Sequence, residues 1–352
     1  MSNTAIVNNF MKLINYVQSQ IDTLKTNKSN AKELTANIFR LKQLKNVLII
    51  IKKYPNEISK DNLSDFAELP GIGKGTIDRI TEILENGKLS ELKNFKDDTV
   101  NNMKIIDDLE TIVGVGRSLA LDFINMGITS VEDLKKKVAK GTIEVNDKVL
   151  LGIKYYGVFK GDIPRNEITE IYNLLHYIIN KMNKHYKLDE TNKYIFEICG
   201  SYRREKEKSG DIDVLVSKLG TTEDSEDINH LERFVKRLKK NLKLNNNNPL
   251  LVDDMTDKNY ETKYMGFAKY KDNFVRRIDI RFITYDSYHS ALLYFTGSAD
   301  LNKKMRQIAK TMGYKLSEYG LTKISDNKKV SIKSEEDVFK ILKMEYLSPK
   351  LR

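Results

Sequence analysis

The sequence has no tryptophan and contains one cysteine, five prolines and four histidines among its 352 residues. The single thiol, Cys199, cannot form an internal disulfide, and the few Cys and His residues do not have the spacing of a structural zinc site. These absences exclude a disulfide framework and a zinc finger. We therefore expect an intracellular protein in a reducing compartment, with nucleus, cytoplasm and viral factory all open.

Long apolar runs are also missing. No run approaches the roughly 18 residues that a helix needs to cross a membrane. The first ten residues show no basic segment followed by an apolar core, which is the pattern of a secretory signal. We expect neither secretion nor membrane insertion.

Positive charge, in contrast, is abundant. Lys and Arg number 60 against 49 Asp and Glu, which gives a formal net charge of +11. This excess favours a polyanionic partner, because Lys and Arg that neutralise phosphates release bound counterions. A lysine-rich surface that only keeps the chain soluble is the alternative interpretation. The hydrophobic content of 40% is sufficient for a globular protein of two or three domains.

The first part of the chain has helical patterns. Apolar residues recur every three or four positions in residues 8–54, which predicts amphipathic helices. The segments 69–73 (LPGIG) and 112–116 (IVGVG) are related, and each precedes a helical pattern, which predicts a repeated helix-hairpin-helix. The hairpin glycines permit tight turns that present backbone N–H groups to DNA phosphates. They are Gly71, Gly73, Gly114 and Gly116.

The second part changes from helix to strand. A turn cluster of Gly161, Asp162 and Pro164 predicts a boundary before it. β-Branched runs then predict a mixed sheet with helices packed on one face, and the last stretch, 286–352, predicts a small α+β subdomain. The predicted strands are 194–199, 212–216 and 275–284, and the predicted helices are 167–182 and 227–242. The predicted fold class is α+β.

Three aspartates stand out in this part. Residues two apart in a strand face the same side, so Asp211 and Asp213 project together. Asp279 lies between two isoleucines on another predicted strand. If the strands are neighbours, the carboxylates form an oxygen-rich site that suits Mg²⁺ or Mn²⁺ and the in-line transfer of a phosphoryl group. An isolated Asp-x-Asp pair more often marks a solvated strand end.

An anion site is predicted shortly before the first two aspartates. Gly200 and Ser201 lie at the end of a predicted strand and the start of a helix, where free backbone N–H groups and a hydroxyl can bind phosphate. Arg203 and Arg204 add positive charge. The alternative for these arginines is a solvated helix face.

Five segments, in this order, resemble those of the X family of DNA polymerases, the family of DNA polymerase beta. They are 69–73 (LPGIG), 200–204 (GSYRR), 210–214 (GDIDV), 276–281 (RRIDIR) and 294–298 (YFTGS). The richness in Asn, Lys and Ile is typical of an AT-rich genome, as in many viruses and protists.

The resemblance implies four regions. They are a lyase-like helical domain with the first hairpin (1–96), a DNA-binding helical subdomain with the second (97–164), a catalytic palm (165–285), and a C-terminal subdomain that binds the nascent base pair (286–352).

The resemblance also implies an activity: a template-directed DNA polymerase that fills short gaps in DNA repair of the base-excision type. Asp211, Asp213 and Asp279 would bind two Mg²⁺ or Mn²⁺ ions, and the chain would act as a monomer on gapped or nicked duplex DNA and a dNTP. Two alternatives remain open. One is a template-independent terminal transferase, and the other is a non-catalytic helix-hairpin-helix DNA-binding protein.

Further site residues follow from the same resemblance. Those expected at the nucleotide are Gly200, Ser201, Arg204, Gly210, Tyr294, Phe295, Gly297 and Asn302. Arg277 and Arg306 are expected to contact DNA or template, together with the hairpin glycines. Backbone carbonyls near Leu69, Ile72, Ile112 and Val115 would hold a monovalent cation, Na⁺ or K⁺. Core packing is the alternative for the two aromatic residues, and an exposed helix face for Asn302 and Arg306.

The N-terminal region departs from its relatives. Arg79 occupies the position of the Schiff-base lysine in family members with 5′-deoxyribose-phosphate lyase activity. An arginine remains charged and cannot be the nucleophile. Either the activity is absent and the region only grips the 5′ side of a gap, or a nearby amine, with Lys74 preferred, has taken over.

Overall fold

The computed structural model describes residues 3–26, 30–93, 97–158, 162–225, 228–240, 245–256 and 261–352, apart from the side chains of residues 26 and 97–101. Gly161 of the predicted turn cluster, the predicted boundary at residue 96, and both ends of the predicted helix 227–242 lie outside the described residues. The chain forms two compact units, Met1–Ile153 and Lys154–Arg352.

The first unit is helical, which confirms the prediction for this part of the chain. Its helices are α1 Thr4–Thr26, α2 Ala31–Lys53, α3 Leu63–Ala67, α4 Lys74–Asn86, α5 Asp97–Glu110, α6 Arg117–Asn125, α7 Val131–Ala139 and α8 Asp147–Tyr155, the last of which ends in the second unit. A short 3-10 helix spans Ser90–Leu92. The apolar faces of α1, α2, α3 and α4 form one core. Its fully buried residues include Phe10 and Leu13 of α1, Phe66 of α3 and Ile80 of α4.

The two predicted hairpins have nearly the same backbone. Gly71 lies between α3 and α4 with φ +94°, and Gly114 lies between α5 and α6 with φ +92°. Both angles fall in the left-handed region, where a residue with a Cβ atom is strained. The repeat that the sequence indicated is therefore a structural repeat.

The second unit combines helices and strands. Its strands are β1 Ile163–Pro164, β2 Tyr194–Ile198, β3 Lys208–Ser209, β4 Ile212–Lys218, β5 Leu251–Asp254, β6 Lys263–Ala268, β7 Arg276–Phe282, β8 Tyr314–Ser317, β9 Gly320–Lys323 and β10 Lys329–Val330. Its helices are α9 Arg165–His185, α10 Gly200–Arg203, α11 His230–Lys240, α12 Tyr288–Thr296, α13 Ala299–Thr311 and α14 Glu335–Ile341. The fold class α+β is confirmed.

A mixed five-stranded sheet forms the centre of this unit, in the order β2-β4-β7-β6-β5. The β4–β7 pair is parallel and the other pairs are antiparallel. Helices α9 and α11 share a core with one face, as predicted. The prediction of helices on one face is incomplete, because α12 packs on the opposite face, where Leu292 lies in one cluster with Leu215 of β4.

Two strands of the central sheet, β5 and β6, were not predicted. β5 contains the acidic pair Asp253 and Asp254, and β6 is interrupted by Gly266, so neither has the apolar alternation that indicates a strand. Tertiary pairing places them: β6 pairs with β7, and β5 pairs with β6.

The C-terminal part is small and mixed, as the sequence predicted. Strands β8, β9 and β10 form an antiparallel sheet in the order β10-β9-β8. Leu293, Met305 and Phe339, from α12, α13 and α14, share a separate buried core. No helix in the described part of the chain is long and apolar enough to span a bilayer.

A buried ion pair joins α9 to β7. The Arg276 guanidinium donates to both carboxylate oxygens of Glu167, at 2.8 Å from Nε and 2.6 Å from Nη2. The side chains are 4% and 8% exposed. Removing one partner of such a pair leaves the other charge buried without compensation, which is costly.

We expect Glu167→Gln to lower the free energy of unfolding by about 3 kcal/mol, because the buried Arg276 then loses its ion pair with the Glu167 carboxylate. Glu170→Gln is the matched control on the same helix, since Glu170 pairs with Lys271 at the surface. It should change stability by less than about 0.5 kcal/mol. Urea unfolding of the full chain, followed by circular dichroism, measures both. Equal effects of the two substitutions would contradict the role assigned to the buried pair.

Candidate active site

The register of β4 and β7 brings the aspartates together. In this parallel pair Asp213 is the direct neighbour of Asp279, and Ile212 is the neighbour of Ile278. Asp211 precedes β4 and lies two residues before Asp213, so it faces the same side. The condition that the sequence left open, that the two strands are adjacent, is met.

Burial and mutual repulsion act on these carboxylates. Burial, and after it the negative charges of Asp211 and Asp279, raise the pKa of Asp213 to about 7 against the opposing effect of Arg277. Burial also raises the pKa of Asp211, with Asp279 acting in the same direction. The site therefore carries more negative charge than its protein surroundings compensate.

Asp279 already has a partner on its own strand. Nη2 of Arg277 donates to its carboxylate at 3.0 and 3.3 Å. In the described part of the chain, no three His, Cys, Asp or Glu side chains are close enough as they stand to hold a metal ion. The backbone register is suitable, but the Asp279 carboxylate is turned towards Arg277.

The three carboxylates nevertheless fit a divalent cation. They supply only oxygen donors, which Mg²⁺ and Mn²⁺ prefer. Burial and the like charges of Asp211 and Asp279 raise the pKa of Asp213, and a divalent ion bound there would offset both effects.

A tight turn precedes the first two aspartates. Strand β2 ends at Ile198, and the four-residue helix α10 begins at Gly200. Gly200 has φ +56°, and a Cβ atom there would lie 2.5 Å from Oδ2 of Asp213. Only glycine fits this position, because any side chain would displace the carboxylate.

Ser201 and Arg204 lie side by side after this turn. Nη2 of Arg204 donates to Oγ of Ser201 at 3.1 Å, and Nη1 donates to the backbone oxygen of Thr296 at 2.5 Å. A Cβ atom on Gly297 would lie 3.2 Å from the same guanidinium. Segments 200–204 and 294–298, distant in sequence, therefore meet at Arg204. Gly210, between β3 and β4, is exposed.

Arg203 points elsewhere, which corrects the expectation that both arginines supply charge for an anion. It forms two hydrogen bonds with Glu335, at 2.9 and 2.7 Å, and a third with Oγ1 of Thr296 at 2.6 Å. Glu335 also accepts a hydrogen bond from Arg352 at 2.6 Å. Arg203 is thus a structural residue that links α10 to α12 and α14.

The residues expected near the base lie together on α12 and α13. Nδ2 of Asn302 donates to the backbone oxygen of Tyr294 at 2.7 Å, and the Arg306 guanidinium lies 4.8 Å from the centre of the Tyr294 ring. Arg306 also approaches Glu318 at 3.8 Å. The neighbouring Phe295 ring lies 5.6 Å from the guanidinium of Arg281.

The hairpins place their second glycines at helix starts. Gly73 and Gly116 are the N-cap residues of α4 and α6, with extended backbones. In both turns a backbone carbonyl accepts a hydrogen bond from the N–H group three residues later. Ile72 N–H donates to Leu69 O at 3.1 Å, and Val115 N–H donates to Ile112 O at 2.9 Å.

The sequence did not reveal what supports the second hairpin. A Cβ atom on Gly152 of α8 would lie 2.0 Å from the backbone oxygen of Val113. The helix can approach the turn this closely only because residue 152 is glycine. The signal was an isolated glycine within a helical pattern, which often marks close packing.

Arg79 is held by two acceptors in the first unit. Its Nε donates to Glu91 at 2.5 Å, and Nη1 donates to the backbone oxygen of Gly75 at 2.9 Å. Glu91 also pairs with Arg40. Lys74, the first residue of α4, is exposed.

Two cavities lie near the central sheet. One of about 70 Å³ is lined by Asp213, Asp279, Cys199 and Phe295, beside the carboxylates. A larger one of about 730 Å³ is lined by Thr221, Glu223, His230 and Tyr319 among others. The smaller cavity belongs to the candidate site, because Asp213 and Asp279 line it. The described residues that line the larger cavity include no lysine or arginine that could bind a phosphate.

Four family models match consecutive stretches of the chain. They are a helix-hairpin-helix domain at residues 18–89, the fingers domain of DNA polymerase lambda at 108–160, the DNA polymerase beta palm at 162–285, and the DNA polymerase beta thumb at 291–352.

Curated proteins show the same similarity over most of the chain. DNA polymerase lambda of Arabidopsis thaliana is 31% identical over 314 residues, 85% of this chain and 55% of the relative. DNA polymerase lambda of Rattus norvegicus is 27% identical over 85% of this chain and 50% of the relative. DNA polymerase/3′-5′ exonuclease PolX of Bacillus subtilis is 23% identical over 84% of this chain and 48% of the relative. The chain thus spans about half the length of these relatives.

The raised pKa of Asp213 predicts that the metal-free site lowers the free energy of unfolding. The pKa of Asp213 is about 7 in the folded protein, against an ordinary value of 3.8. The contribution of Asp213 to the stability of the fold therefore falls as the pH rises from about 4 to about 7. Without divalent ions, Asp213→Asn should therefore raise the free energy of unfolding at pH 8 by at least about 1 kcal/mol, and by less at pH 5.

Urea unfolding in EDTA at both pH values measures this effect, with Asp272→Asn at an exposed position as the control. Mg²⁺ should stabilise the wild type more than Asp213→Asn. A variant that is less stable than the wild type in EDTA at pH 8 would contradict the electrostatic account.

Proposed function

Because this chain belongs to the X family of DNA polymerases, we propose that it is a template-directed DNA polymerase that fills short gaps in DNA repair, joining a dNTP to a primer 3′-hydroxyl. The observation that carries the proposal is the parallel register that makes Asp213 the neighbour of Asp279, with Asp211 on the same face. Such an arrangement is unfavourable for a protein that only binds DNA, because it presents three negative charges to a polyanion.

Members of this family use divalent metal in catalysis, and we propose two ions, Mg²⁺ or Mn²⁺, held by Asp211, Asp213 and Asp279. Bound there, such ions would lower the pKa of the attacking hydroxyl and neutralise charge on the leaving pyrophosphate. Asp279 must first leave Arg277, which is 3.0 Å away. Arg277 then becomes available to a DNA phosphate, and this is the DNA-binding role proposed for it.

The triphosphate site is proposed at Ser201 and Arg204. The Arg204 guanidinium is already oriented by Ser201 and the Thr296 backbone, so little side-chain freedom is lost when a phosphate binds. Gly200 and Gly210 allow the backbone to approach the nucleotide, and Gly297 borders the same guanidinium.

Base and sugar contacts are assigned to α12 and α13. Tyr294 and Phe295 border the sugar, Asn302 reaches the incoming base, and Arg306 reaches the templating base. The contacts of Asn302 with the Tyr294 backbone and of Arg306 with the Tyr294 ring support this assignment, because both side chains lie beside the same residue.

The two hairpins are proposed to bind the DNA backbone on either side of the gap. Gly71, Gly73, Gly114 and Gly116 shape turns that can offer N–H groups to phosphates. A monovalent cation, Na⁺ or K⁺, would be held by backbone carbonyls near Leu69 and Ile72, and near Ile112 and Val115. The matching hydrogen bonds in the two turns support equivalent sites.

Four functional regions are proposed: 1–96, 97–164, 165–285 and 286–352. The four matched family models fall within these regions, apart from the start of the palm match at residue 162. We further propose that a monomer acts on gapped or nicked duplex DNA.

We expect Asp211→Asn and Asp279→Asn each to lower Mg²⁺-dependent nucleotide incorporation at a one-nucleotide gap at least about 100-fold, because each removes a metal ligand. Binding of gapped DNA should stay within about three-fold of the wild type, since hairpins and basic residues provide the affinity. Asp272→Asn is the exposed control and should leave both unchanged.

The same assay distinguishes the alternatives. Equal extension of primers with and without a template strand would indicate a terminal transferase. DNA binding without incorporation at any Mg²⁺ or Mn²⁺ concentration would indicate a non-catalytic DNA-binding protein. Near-wild-type incorporation by either aspartate variant would mean that the active site is misplaced.

For the N-terminal region we propose DNA binding without lyase activity. The position of the nucleophile holds Arg79, whose guanidinium is engaged with Glu91 and the Gly75 backbone. A Schiff base needs an amine that can lose its proton, and a guanidinium cannot serve.

Borohydride trapping on an incised abasic substrate tests this expectation, and no covalent adduct should form. A lysine-dependent lyase assayed in parallel serves as the positive control. An adduct that disappears in Lys74→Ala would overturn the proposal and assign the nucleophile to Lys74. An adduct that survives this substitution would overturn it as well and point to another amine.

A further inference from the structure

Two arginines of the first unit converge on one carboxylate. Arg40 of α2 pairs with Oε2 of Glu91, and Nε of Arg79 of α4 donates to Oε1 of the same side chain at 2.5 Å. These three residues, here called the Arg40–Glu91–Arg79 cluster, come from three separate elements. Each oxygen of the carboxylate thus has its own guanidinium.

The surrounding structure fixes this geometry. Leu89 is buried in the core of the first unit, and Leu92 packs against that core, so the short helix that carries Glu91 is anchored on both sides. Arg79 is further held by the backbone oxygen of Gly75 at 2.9 Å. A Cβ atom at residue 75 would lie only 3.3 Å from its Nη1, so glycine leaves room for the guanidinium.

The cluster has an excess of positive charge and is open to solvent. It contains two guanidinium groups and one carboxylate, and the three side chains are 34%, 28% and 28% exposed. Two guanidiniums that face one planar anion form the arrangement that binds phosphate oxygens. Glu91 therefore occupies the place that a phosphate group would take.

We propose that Glu91 is a tethered competitor for a DNA phosphate at the anion site formed by Arg40 and Arg79. A phosphate that enters the cluster displaces the Glu91 carboxylate, so this residue sets how strongly the first unit holds DNA. The inference rests on the proposed function, because it requires DNA as the ligand. The phosphate is either a terminal 5′-phosphate or one within the strand, and the chemistry of recognition is the same.

A tethered carboxylate affects both affinity and salt dependence. With Glu91 in place, an incoming phosphate exchanges one ion pair for another and releases few counterions. Without the Glu91 charge, both arginines are neutralised by the DNA itself, and more counterions are released on binding.

The test compares Glu91→Gln with the wild type in binding gapped DNA, as a function of salt. Glu91→Gln should tighten binding about three- to ten-fold at low salt and steepen the plot of log K against log salt by about one unit. Glu85→Gln is the matched control, since it removes the same charge from an acid that pairs with the exposed Lys60. Melting temperatures show whether each variant is folded.

Three further measurements make the outcome decisive. Adding Arg40→Gln and Arg79→Gln to Glu91→Gln should abolish the gain. Gaps with a 5′-phosphate and with a 5′-hydroxyl distinguish the two sources: a gain only with the phosphate identifies the terminal group, and an equal gain identifies a phosphate within the strand. An equal effect of Glu85→Gln, no gain at all, or a gain that persists without the arginines would overturn the proposal and leave Glu91 as a structural counter-charge.

Failure of this inference is distinguishable from failure of the proposed function. If the wild type fills gaps and Glu91→Gln binds DNA like the Glu85→Gln control, only the inference fails. If the wild type binds gapped DNA but incorporates no nucleotide, the polymerase assignment fails, and the binding comparison still decides the role of Glu91.

Discussion

Parallel pairing of β4 with β7 is the constraint around which the second unit is arranged. Adjacent strands lie about 4.8 Å apart, so the register that joins Asp213 to Asp279 forces two carboxylates into proximity on a partly buried face. The raised pKa of Asp213 records the energetic cost. Gly200 must lack a side chain because Asp213 occupies that space, and Arg277 supplies partial compensation. Such a face is poor for stability and suited to binding cations.

The arginines near the site come in adjacent pairs, and each pair divides its roles. Arg276 points into the core and binds Glu167, whereas Arg277 lies on the aspartate face beside Asp279. Strand alternation explains this division, because consecutive residues face opposite sides.

The pair at the end of α10 divides in the same way. Arg203 binds Glu335, and Arg204 lies beside Ser201. In each pair one arginine is held by an ion pair with a buried glutamate, and the neighbouring guanidinium is left on the face proposed to act on the nucleotide or DNA.

The two hairpins share a turn geometry but have different support. Gly71 lies close to Ile50 of α2, because a Cβ atom on Gly71 would be 3.2 Å from Cδ1 of Ile50. Gly114 lies instead against the backbone of Lys148, and Gly152 of the same helix touches Val113. The left-handed turn conformation is local, so it recurs wherever glycine allows it. The helices that pack behind it are not local, and they make the two hairpins distinct parts of the first unit.

The sequence by itself determined the features that depend on near neighbours in the chain. Helical spacing predicted α1 and α2, the glycines predicted both hairpins, and alternation put Asp211 and Asp213 on one face. These follow from backbone geometry alone. The fold class and the family resemblance followed from the order of such segments.

Only the tertiary structure decided which strands are neighbours and which partner each charge has. β5 and β6 lack a clear strand pattern and exist because β7 provides an edge. Arg203 finds Glu335 132 residues away, Arg276 finds Glu167 109 residues away, and Arg40 finds Glu91 51 residues away. Alternation gives the direction of a side chain but not what lies opposite, because that depends on how distant segments pack together.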